Sequence, residues 1–198
     1  MAGVIGIDEV GRGCWAGPLL VVAARATADL PAGLKDSKLL SKKQRNELFD
    51  RIKDSCKLGE GWVQSEEIDE LGLTQAMKLG VSRALIMLGA DFDDKIVIDG
   101  NINYCPDEFM NVQIVIKADR SHPIVSAASI YAKVLRDQHM TRLSQIYPRY
   151  EFDKHVGYGT HLHELMLRVY GPCQIHRKSF KPVKALILNQ TGSQPSLG

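Results

Sequence analysis

Three apolar, β-branched runs each lead into acidic residues. They are residues 4–7 (VIGI) followed by Asp8 and Glu9, residues 95–99 (KIVID) ending in Asp99, and residues 112–119 (VQIVIKAD) ending in Asp119. Runs of this composition are typical of buried strands. A further strand-like run over 18–26 predicts that the first segment is either a hairpin or a strand, loop, strand unit.

Helical patterns separate these runs. Ser41 and Gln44 form a capping box that starts a helix ending near Cys56, and Thr74 is predicted to cap a second helix that ends near Gly89. The other predicted elements are a short strand at 62–63, acidic turns at 66–70, a long helix over 123–147, a loop over 150–159 and a helix capped by Thr160 that ends near residue 170.

Strands alternating with helices indicate a mixed α/β sheet. Open α/β sheets place their sites at the carboxyl ends of strands, so we expect Asp8, Asp99 and Asp119 to lie close together. One aspartate after a strand is an ordinary turn residue, but three after comparable strands form a more specific signal.

Carboxylates that converge repel each other unless a cation is present, and oxygen ligands suit Mg²⁺ or Mn²⁺. Two such ions are a standard device for in-line attack on a phosphodiester. Asp8 and Glu9 raise a geometric question, because neighbouring residues of a regular strand face opposite ways.

Composition and charge agree with an ordinary globular chain. The 198 residues suit one domain, and the net charge of +2 permits a nucleic-acid partner without requiring one. Four widely spaced cysteines predict a reduced, intracellular protein, and no stretch resembles a signal peptide or a membrane span. Two basic clusters, at 35–45 and 168–184, would suit a nucleic-acid backbone around an acidic site.

Two other functions fit parts of the pattern. Residues 11–16 match the G-x-G-x-x-A dinucleotide pattern, although the two carboxylates before it would repel a pyrophosphate. A non-catalytic, cation-stabilised nucleic-acid-binding module is also compatible. His155, His161 and His163 lack the spacing of a metal motif and more often cap a helix or meet phosphate.

Seven motifs in order carry a family resemblance. They are DEVGRGCWAGP (8–18), LKDSKLLS (34–41), IDG (98–100), KAD (117–119), SAASIYAKVLRD (126–137), GYGT (157–160) and HRKSF (176–180). In these residues the chain resembles the type 2 ribonucleases H, specifically bacterial ribonuclease HII.

The resemblance implies an RNase H-like fold, with a mixed five-stranded sheet flanked by helices and a small C-terminal helical part. Residues 1–188 would form one catalytic domain and 189–198 a disordered tail. The implied activity is cleavage 5′ of ribonucleotides embedded in duplex DNA, and of RNA in RNA/DNA hybrids, with two metal ions, Mg²⁺ or Mn²⁺. A cytoplasmic monomer is expected.

The resemblance also implies residue roles. Asp8, Glu9, Asp99 and Asp119 would be the catalytic metal ligands, with Asp137 as an accessory acid. Gly11, Arg12 and Gly13 would form a loop that contacts the ribose 2′-hydroxyl, with Tyr158 against the adjoining sugar. The predicted substrate-phosphate contacts are Lys38, Ser126, Arg177 and Ser179. Val156 departs from the lysine that relatives usually have before Gly-Tyr, which puts one phosphate contact in doubt.

Overall fold

The computed structural model describes residues 3–34 and 40–191, with backbone only for 189–191. Its strands are β1 (Ile5–Val10), β2 (Leu19–Ala26), β3 (Cys56–Val63), β4 (Ile96–Asp99) and β5 (Val112–Val115). Its helices are α1 (Lys42–Ser55), α2 (Ser65–Leu71), α3 (Leu73–Leu88), α4 (Pro123–Ile146), α5 (Phe152–His155), α6 (His161–Tyr170) and α7 (Lys181–Thr191). Short 3-10 helices cover Ala118–Arg120 and Pro148–Tyr150. None of the described helices combines the length and apolar character needed to cross a bilayer.

The five strands form one mixed sheet in the order β3-β2-β1-β4-β5. β1 pairs with β2, and β2 with β3, in antiparallel fashion, whereas β1–β4 and β4–β5 are parallel. The predicted hairpin and five-stranded mixed sheet are therefore confirmed. Parallel pairing brings the carboxyl ends of β1, β4 and β5 to one edge of the sheet.

Helices cover both faces of the sheet. On one face α2 and α3 pack over Ile5 and Ile7 of β1, and on the other α1 and α4 pack over Val10 and the alternate residues of β2. A Cβ at Gly6 would lie 2.6 Å from the main chain of Ile124, so α4 lies directly against β1 at this point. The close packing holds the start of α4 beside the strand that carries Asp8.

Strand β3 is longer than predicted. The sequence predicts a short strand at 62–63, because Gly59 and Gly61 weaken a strand pattern. In the structure these glycines let α3 lie against the strand, since a Cβ at Gly61 would overlap the carbonyl oxygen of Gly80, and one at Gly59 that of Ala84. The glycines therefore mark close backbone approach.

Two segments predicted without helices contain them. Residues 66–70, predicted as acidic turns, lie in α2, whose capping box includes a 2.8 Å bond from the Gln64 N–H to Glu67 Oε2. The predicted loop over 150–159 contains α5. Thr74 also proves to lie inside α3, which is capped by Gly72.

Asp119 does not end a strand as predicted. β5 stops at Val115, Lys117 adopts a left-handed conformation with φ 59°, and Asp119 lies in the 3-10 helix that follows. The change of direction at Lys117 turns the chain back over the strand ends, so Asp119 reaches the same edge by another route.

Several local predictions are confirmed. The capping box of α1 forms, with bonds of 2.9 Å from the Ser41 N–H to Gln44 Oε1 and 3.3 Å from the Gln44 N–H to Ser41 Oγ. Helix α4 ends just before Pro148, and Thr160 caps α6. Helix α7 continues to Thr191, past the predicted boundary at 188, and residues 192–198 of the predicted tail lie outside the described residues.

We expect Gly61→Ala to destabilise the fold by about 1–3 kcal/mol, because the added methyl overlaps the main chain of α3. Chemical denaturation measures the free energy of unfolding. Gly3→Ala is the matched control, since its Cβ would meet its nearest neighbour at 3.6 Å. Equal stability of the two variants would contradict the close approach of α3 to β3.

Candidate active site

A cavity of about 480 Å³ opens at the carboxyl ends of β1 and β4. The four predicted acids line it, and so does the loop of Gly11, Arg12 and Gly13. Tyr158 closes one side, and α4 contributes Ser129 and Lys133. The structure therefore brings the predicted acids, the predicted glycine loop and Tyr158 to one place from widely separated segments.

Asp8 and Glu9 reach this cavity from the end of one regular strand. Both keep their ladder positions, opposite Val22 and Val21 respectively. The Glu9 N–H donates to Asp8 Oδ1 at 2.8 Å, and Glu9 Oε1 lies 3.7 Å from Nη1 of Arg12. No bend in the strand is needed, because the cavity extends around the strand end and receives side chains from both faces.

Burial dominates the electrostatics of Asp8. The side chain is only 9% exposed, and burial, together with the charges of Glu9 and Asp99, raises the pKa of Asp8 to about 8. A hydrogen bond with Ser129 acts in the opposite direction. The metal-free site therefore favours a neutral Asp8 at mildly acidic pH, and a bound cation would favour the carboxylate.

Asp99 and Asp119 are joined through the main chain between β5 and α4. Asp99 Oδ1 accepts a 2.7 Å hydrogen bond from the N–H of Ala118, the residue before Asp119. Ser126 donates its hydroxyl proton to the carbonyl oxygen of Asp119. Asp99 thus fixes the peptide group just before Asp119, and Ser126 of α4 fixes the carbonyl group of Asp119 itself.

The donor set fits a hard divalent cation. All four acids supply carboxylate oxygens, which Mg²⁺ and Mn²⁺ prefer. In residues 3–34 and 40–191, no three His, Cys, Asp or Glu side chains converge closely enough to hold one ion.

The two loop glycines have different physical roles. Gly11 has φ +85°, and a Cβ there would overlap the guanidinium of Arg136. A Cβ at Gly13 would meet no atom within 4 Å, although Gly13 lines the cavity. Gly11 is therefore required by the fold, and Gly13 leaves open space next to the acids.

Arg136 and Arg177 hold this loop from beneath, and both are fully buried. Arg136 donates to the carbonyl oxygens of Pro18 (2.8 Å), Val156 (2.8 Å) and Ala16 (3.3 Å). Arg177 donates from Nη1 to the carbonyl oxygen of Arg12 at 2.9 Å, and from Nε and Nη2 to that of Gly17 at 3.1 and 2.8 Å. Burial lowers the pKa of Arg177 to about 10.

Four other predicted site residues in the described part of the chain do not line the cavity. Arg177 is buried against the loop and donates to the Arg12 carbonyl oxygen. Ser126 is buried under Asp119, and Ser179 donates to Asp69 of α2 at 2.6 Å. Asp137 lies one turn beyond Lys133 and pairs with it at 2.8 Å. Lys38 lies outside the described residues.

Tyr158 lies at the cavity wall with 39% of its surface exposed. Lys133 Nζ is 5.8 Å from the centre of its ring. Burial raises the pKa of Tyr158 to about 12, so the hydroxyl keeps its proton at neutral pH. The side chain offers a ring face and a neutral hydroxyl beside the glycine loop.

Sequence reasoning missed Ser129, Lys133 and Arg136. Ser126, Ser129, Lys133 and Asp137 follow one another at helical spacings of three or four. This polar stripe on a helix of otherwise small and apolar residues was the available signal. No comparable signal marks Arg136, because its partners are main-chain carbonyls.

The glycine loop leads into a strand. Residues 11–18 connect β1 to β2, so the element that follows the G-x-G-x-x-A pattern is antiparallel β structure. A dinucleotide pyrophosphate binds at a helix N-terminus after such a loop. The geometry therefore does not support the dinucleotide alternative.

Comparisons with known proteins point to one family. A family model described as Ribonuclease HII matches residues 5–183. A protein named Ribonuclease HII from Aliarcobacter butzleri (strain RM4018) is 42% identical over 200 residues, covering 100% of both chains. A chain from the PCNA:RNase HII complex of Archaeoglobus fulgidus has a TM-score of 0.76 and 26% identity, covering 90% of this chain and 95% of that one.

A more distant likeness bears on the fold alone. Bst-RNase HIII, solved in complex with Mn²⁺, has a TM-score of 0.69 at 21% identity, covering 94% of this chain and 70% of that one. With the likeness to the Archaeoglobus fulgidus chain, it confirms the predicted RNase H-like architecture.

Asp8→Asn should change how the stability of the metal-free protein depends on pH. The pKa of Asp8 in the folded protein, about 8, lies above the 3.8 of an aspartate in the unfolded chain, so the folded state binds the extra proton between these values. This contribution is complete below the lower pKa and is lost as pH rises through the higher one. Melting temperatures measured in a chelator should therefore fall less steeply with pH in Asp8→Asn than in the wild type.

Two controls accompany this measurement. Asp93→Asn removes an exposed aspartate and should keep the wild-type slope. Addition of Mg²⁺ to the wild type should raise the melting temperature most at pH 8, where a cation replaces the lost proton. An Asp8→Asn slope identical to that of the wild type would refute the raised pKa.

Proposed function

Because the chain belongs to the ribonuclease HII family, we propose that it hydrolyses the phosphodiester 5′ of ribonucleotides embedded in duplex DNA. The proposal includes RNA in RNA/DNA hybrids as a second substrate and 3′-hydroxyl and 5′-phosphate ends as products. At the coarser level the chain is a ribonuclease H, a hydrolytic endonuclease that acts on nucleic acid. We further propose that it acts in the cytoplasm as a monomer.

One observation carries the proposal: the acids and the glycine loop line the same cavity. A nuclease that selects ribonucleotides must bring its reacting groups within reach of a phosphodiester while it senses a sugar hydroxyl. The open space at Gly13 supports close approach of a sugar to main-chain groups of the loop. Only the 2′-hydroxyl distinguishes RNA from DNA at a single position.

The proposed cofactor is Mg²⁺ or Mn²⁺, held by Asp8, Glu9, Asp99 and Asp119. The all-oxygen donor set supports this proposal, and so does the Mn²⁺ complex of the related Bst-RNase HIII fold. When bound, a pair of such ions activates a water and stabilises the leaving oxygen in phosphodiester hydrolysis.

The protein side chains bind and orient the substrate in this proposal. Lys133 places a positive charge at the cavity, 2.8 Å from Asp137, where it complements a phosphate. Arg12 is held between Glu9 and the hydroxyl of Tyr104, to which it donates at 3.2 Å. These contacts, together with the bond from Arg177 to the Arg12 carbonyl oxygen, hold the Arg12 main chain in place beside the cavity.

Tyr158 completes the sugar site in the same proposal. Its ring is apolar enough to pack on a sugar, and its hydroxyl stays protonated at neutral pH. The glycine loop and Tyr158 would then contact the ribonucleotide and its neighbour from two sides. A deoxyribonucleotide in this position would leave loop groups without a hydrogen-bond partner.

Asp99→Asn should abolish cleavage of a duplex that contains one ribonucleotide, assayed with Mg²⁺. The substitution removes one anion from the acid set but keeps an oxygen that can accept from the Ala118 N–H, so the fold should persist. Fluorescence anisotropy should show that the variant still binds the duplex. Asp93→Asn is the matched control and should cut normally, whereas full activity of Asp99→Asn would disprove the assignment.

Gly13→Ala and Gly11→Ala should separate substrate contact from folding. A methyl at Gly13 enters open space, so we expect unchanged unfolding and a fall in kcat/KM of about tenfold or more from a displaced sugar. A methyl at Gly11 overlaps Arg136 and should lower the melting temperature. Normal cleavage by a stable Gly13→Ala protein would remove this loop from the sugar site.

A further inference from the structure

Three buried histidines lie against the Tyr158 loop, which is the segment 156–160 between α5 and α6. His155, His163 and His176 are 5%, 0% and 1% exposed. The rings of His155 and His163 stack with centroids 4.3 Å apart, and Nε2 of His163 lies 3.1 Å from Nε2 of His176. The proposed chemistry uses none of the three.

Their hydrogen-bond partners determine which nitrogen carries each proton. The Cys173 N–H can only donate, and it points at Nδ1 of His176 at 2.9 Å, so that nitrogen is an acceptor. His176 therefore carries its proton on Nε2 and donates to Nε2 of His163. His163 must then carry its proton on Nδ1, which faces the carbonyl oxygen of Tyr158 at 3.0 Å.

The result is a directed chain of hydrogen bonds from Cys173 through two neutral imidazoles to Tyr158. A charged His163 would set two N–H groups against each other at Nε2, and a charged His176 would do so at Nδ1. Burial accordingly lowers the pKa of His163 to about 4 and that of His176 to about 3. Both rings remain neutral at physiological pH, so each hydrogen bond in the series donates toward Tyr158.

The Tyr158 loop, which accepts the last hydrogen bond of this series, packs against residues from other parts of the protein. Gly157 and Gly159 flank Tyr158, and side chains there would overlap the carbonyl oxygen of Ala16 and the ring of Trp15. The carbonyl oxygen of Tyr158 accepts from the Thr160 N–H at 2.8 Å and faces His163 on α6. His163 thus links the orientation of this peptide group to a helix.

We propose that His163 is a positioning residue for Tyr158 and that His176 directs it by holding its proton on Nδ1. The inference rests on the proposed function, in which Tyr158 contacts the sugar next to the cleaved bond. A rotation of this peptide group would move the ring relative to the glycine loop. The Tyr158 ring would then lose contact with the sugar, although the duplex would remain bound.

Asparagine and glutamine substitutions test the two ends of each ring separately. The amide of asparagine lies near Nδ1 of a histidine, and that of glutamine lies near Nε2. At position 163 asparagine keeps the donor to Tyr158 and glutamine loses it. At position 176 glutamine keeps the donor to His163 and asparagine loses it.

The expected order of activity therefore reverses between the two positions. For a duplex with one ribonucleotide, His163→Gln and His176→Asn should lower kcat about tenfold, with KM changed little. His163→Asn and His176→Gln should stay close to the wild type. A purely structural role would make kcat follow the melting temperature at both positions, without a reversal, and that result would overturn the proposal.

His139 provides the matched control on α4. This half-buried histidine lies 5.0 Å from the ring of Trp62, away from the Tyr158 loop. His139→Asn and His139→Gln should not differ in kcat. A difference as large as that at position 163 would show that the amide substitutions act through general destabilisation.

Nuclear magnetic resonance tests the hydrogen-bond series from Cys173 to Tyr158 independently of catalysis. Long-range proton–nitrogen spectra of the wild type should show neutral His163 with its proton on Nδ1 and neutral His176 with its proton on Nε2. His163→Gln should shift the backbone signals of Tyr158 and Gly159 more than His163→Asn. The opposite tautomers, or equal shifts, would overturn the proposal. Failure of the wild type to cut would instead overturn the proposed function, and the spectra would still decide the role of His163.

Discussion

Two buried guanidinium groups bonded to main-chain carbonyls are the interaction on which the site depends. Arg136 comes from α4 and Arg177 from the segment before α7, and together they bind carbonyls between residues 12 and 18 and the carbonyl of Val156. Burying such charges is costly unless hydrogen bonds replace the lost water. The carbonyls supply that replacement, so the glycine loop and the Tyr158 loop are held against each other.

This arrangement explains why the glycine loop is stable although it opens into a cavity. Gly11 lacks a side chain because Arg136 occupies the space, and Gly13 lacks one on the side that faces the acids. One glycine therefore allows the loop to be anchored, while the other leaves its outer surface bare. Loss of Arg177 would free the Arg12 carbonyl that it now binds, and the loop would lose its support below the cavity.

Much of the site could be predicted because its acids follow strands with a strong local pattern. Asp8 and Asp99 follow from parallel pairing alone, since the register of β1 and β4 brings their ends together. Arg177 and Ser126 could not be placed from sequence, because a basic or hydroxyl residue near a nucleic-acid site gives the same signal whether it faces inward or outward. The length of β3 was also hidden, because Gly59 and Gly61 resemble breakers until α3 is seen lying against them.

Adjacent placement of Asp8 and Glu9 on β1 gives the acid set a fixed part and an adjustable part. Their Cα atoms are separated by one peptide unit, about 3.8 Å, which no movement of the helical layers alters. Asp119 is instead placed by a turn at Lys117, by the hydrogen bond that the preceding Ala118 N–H donates to Asp99, and by the hydrogen bond that Ser126 donates to its carbonyl oxygen. Variation in the helices around the sheet can thus move Asp119, Ser129 and Lys133, while the Cα spacing of the first two acids is set directly by covalent geometry.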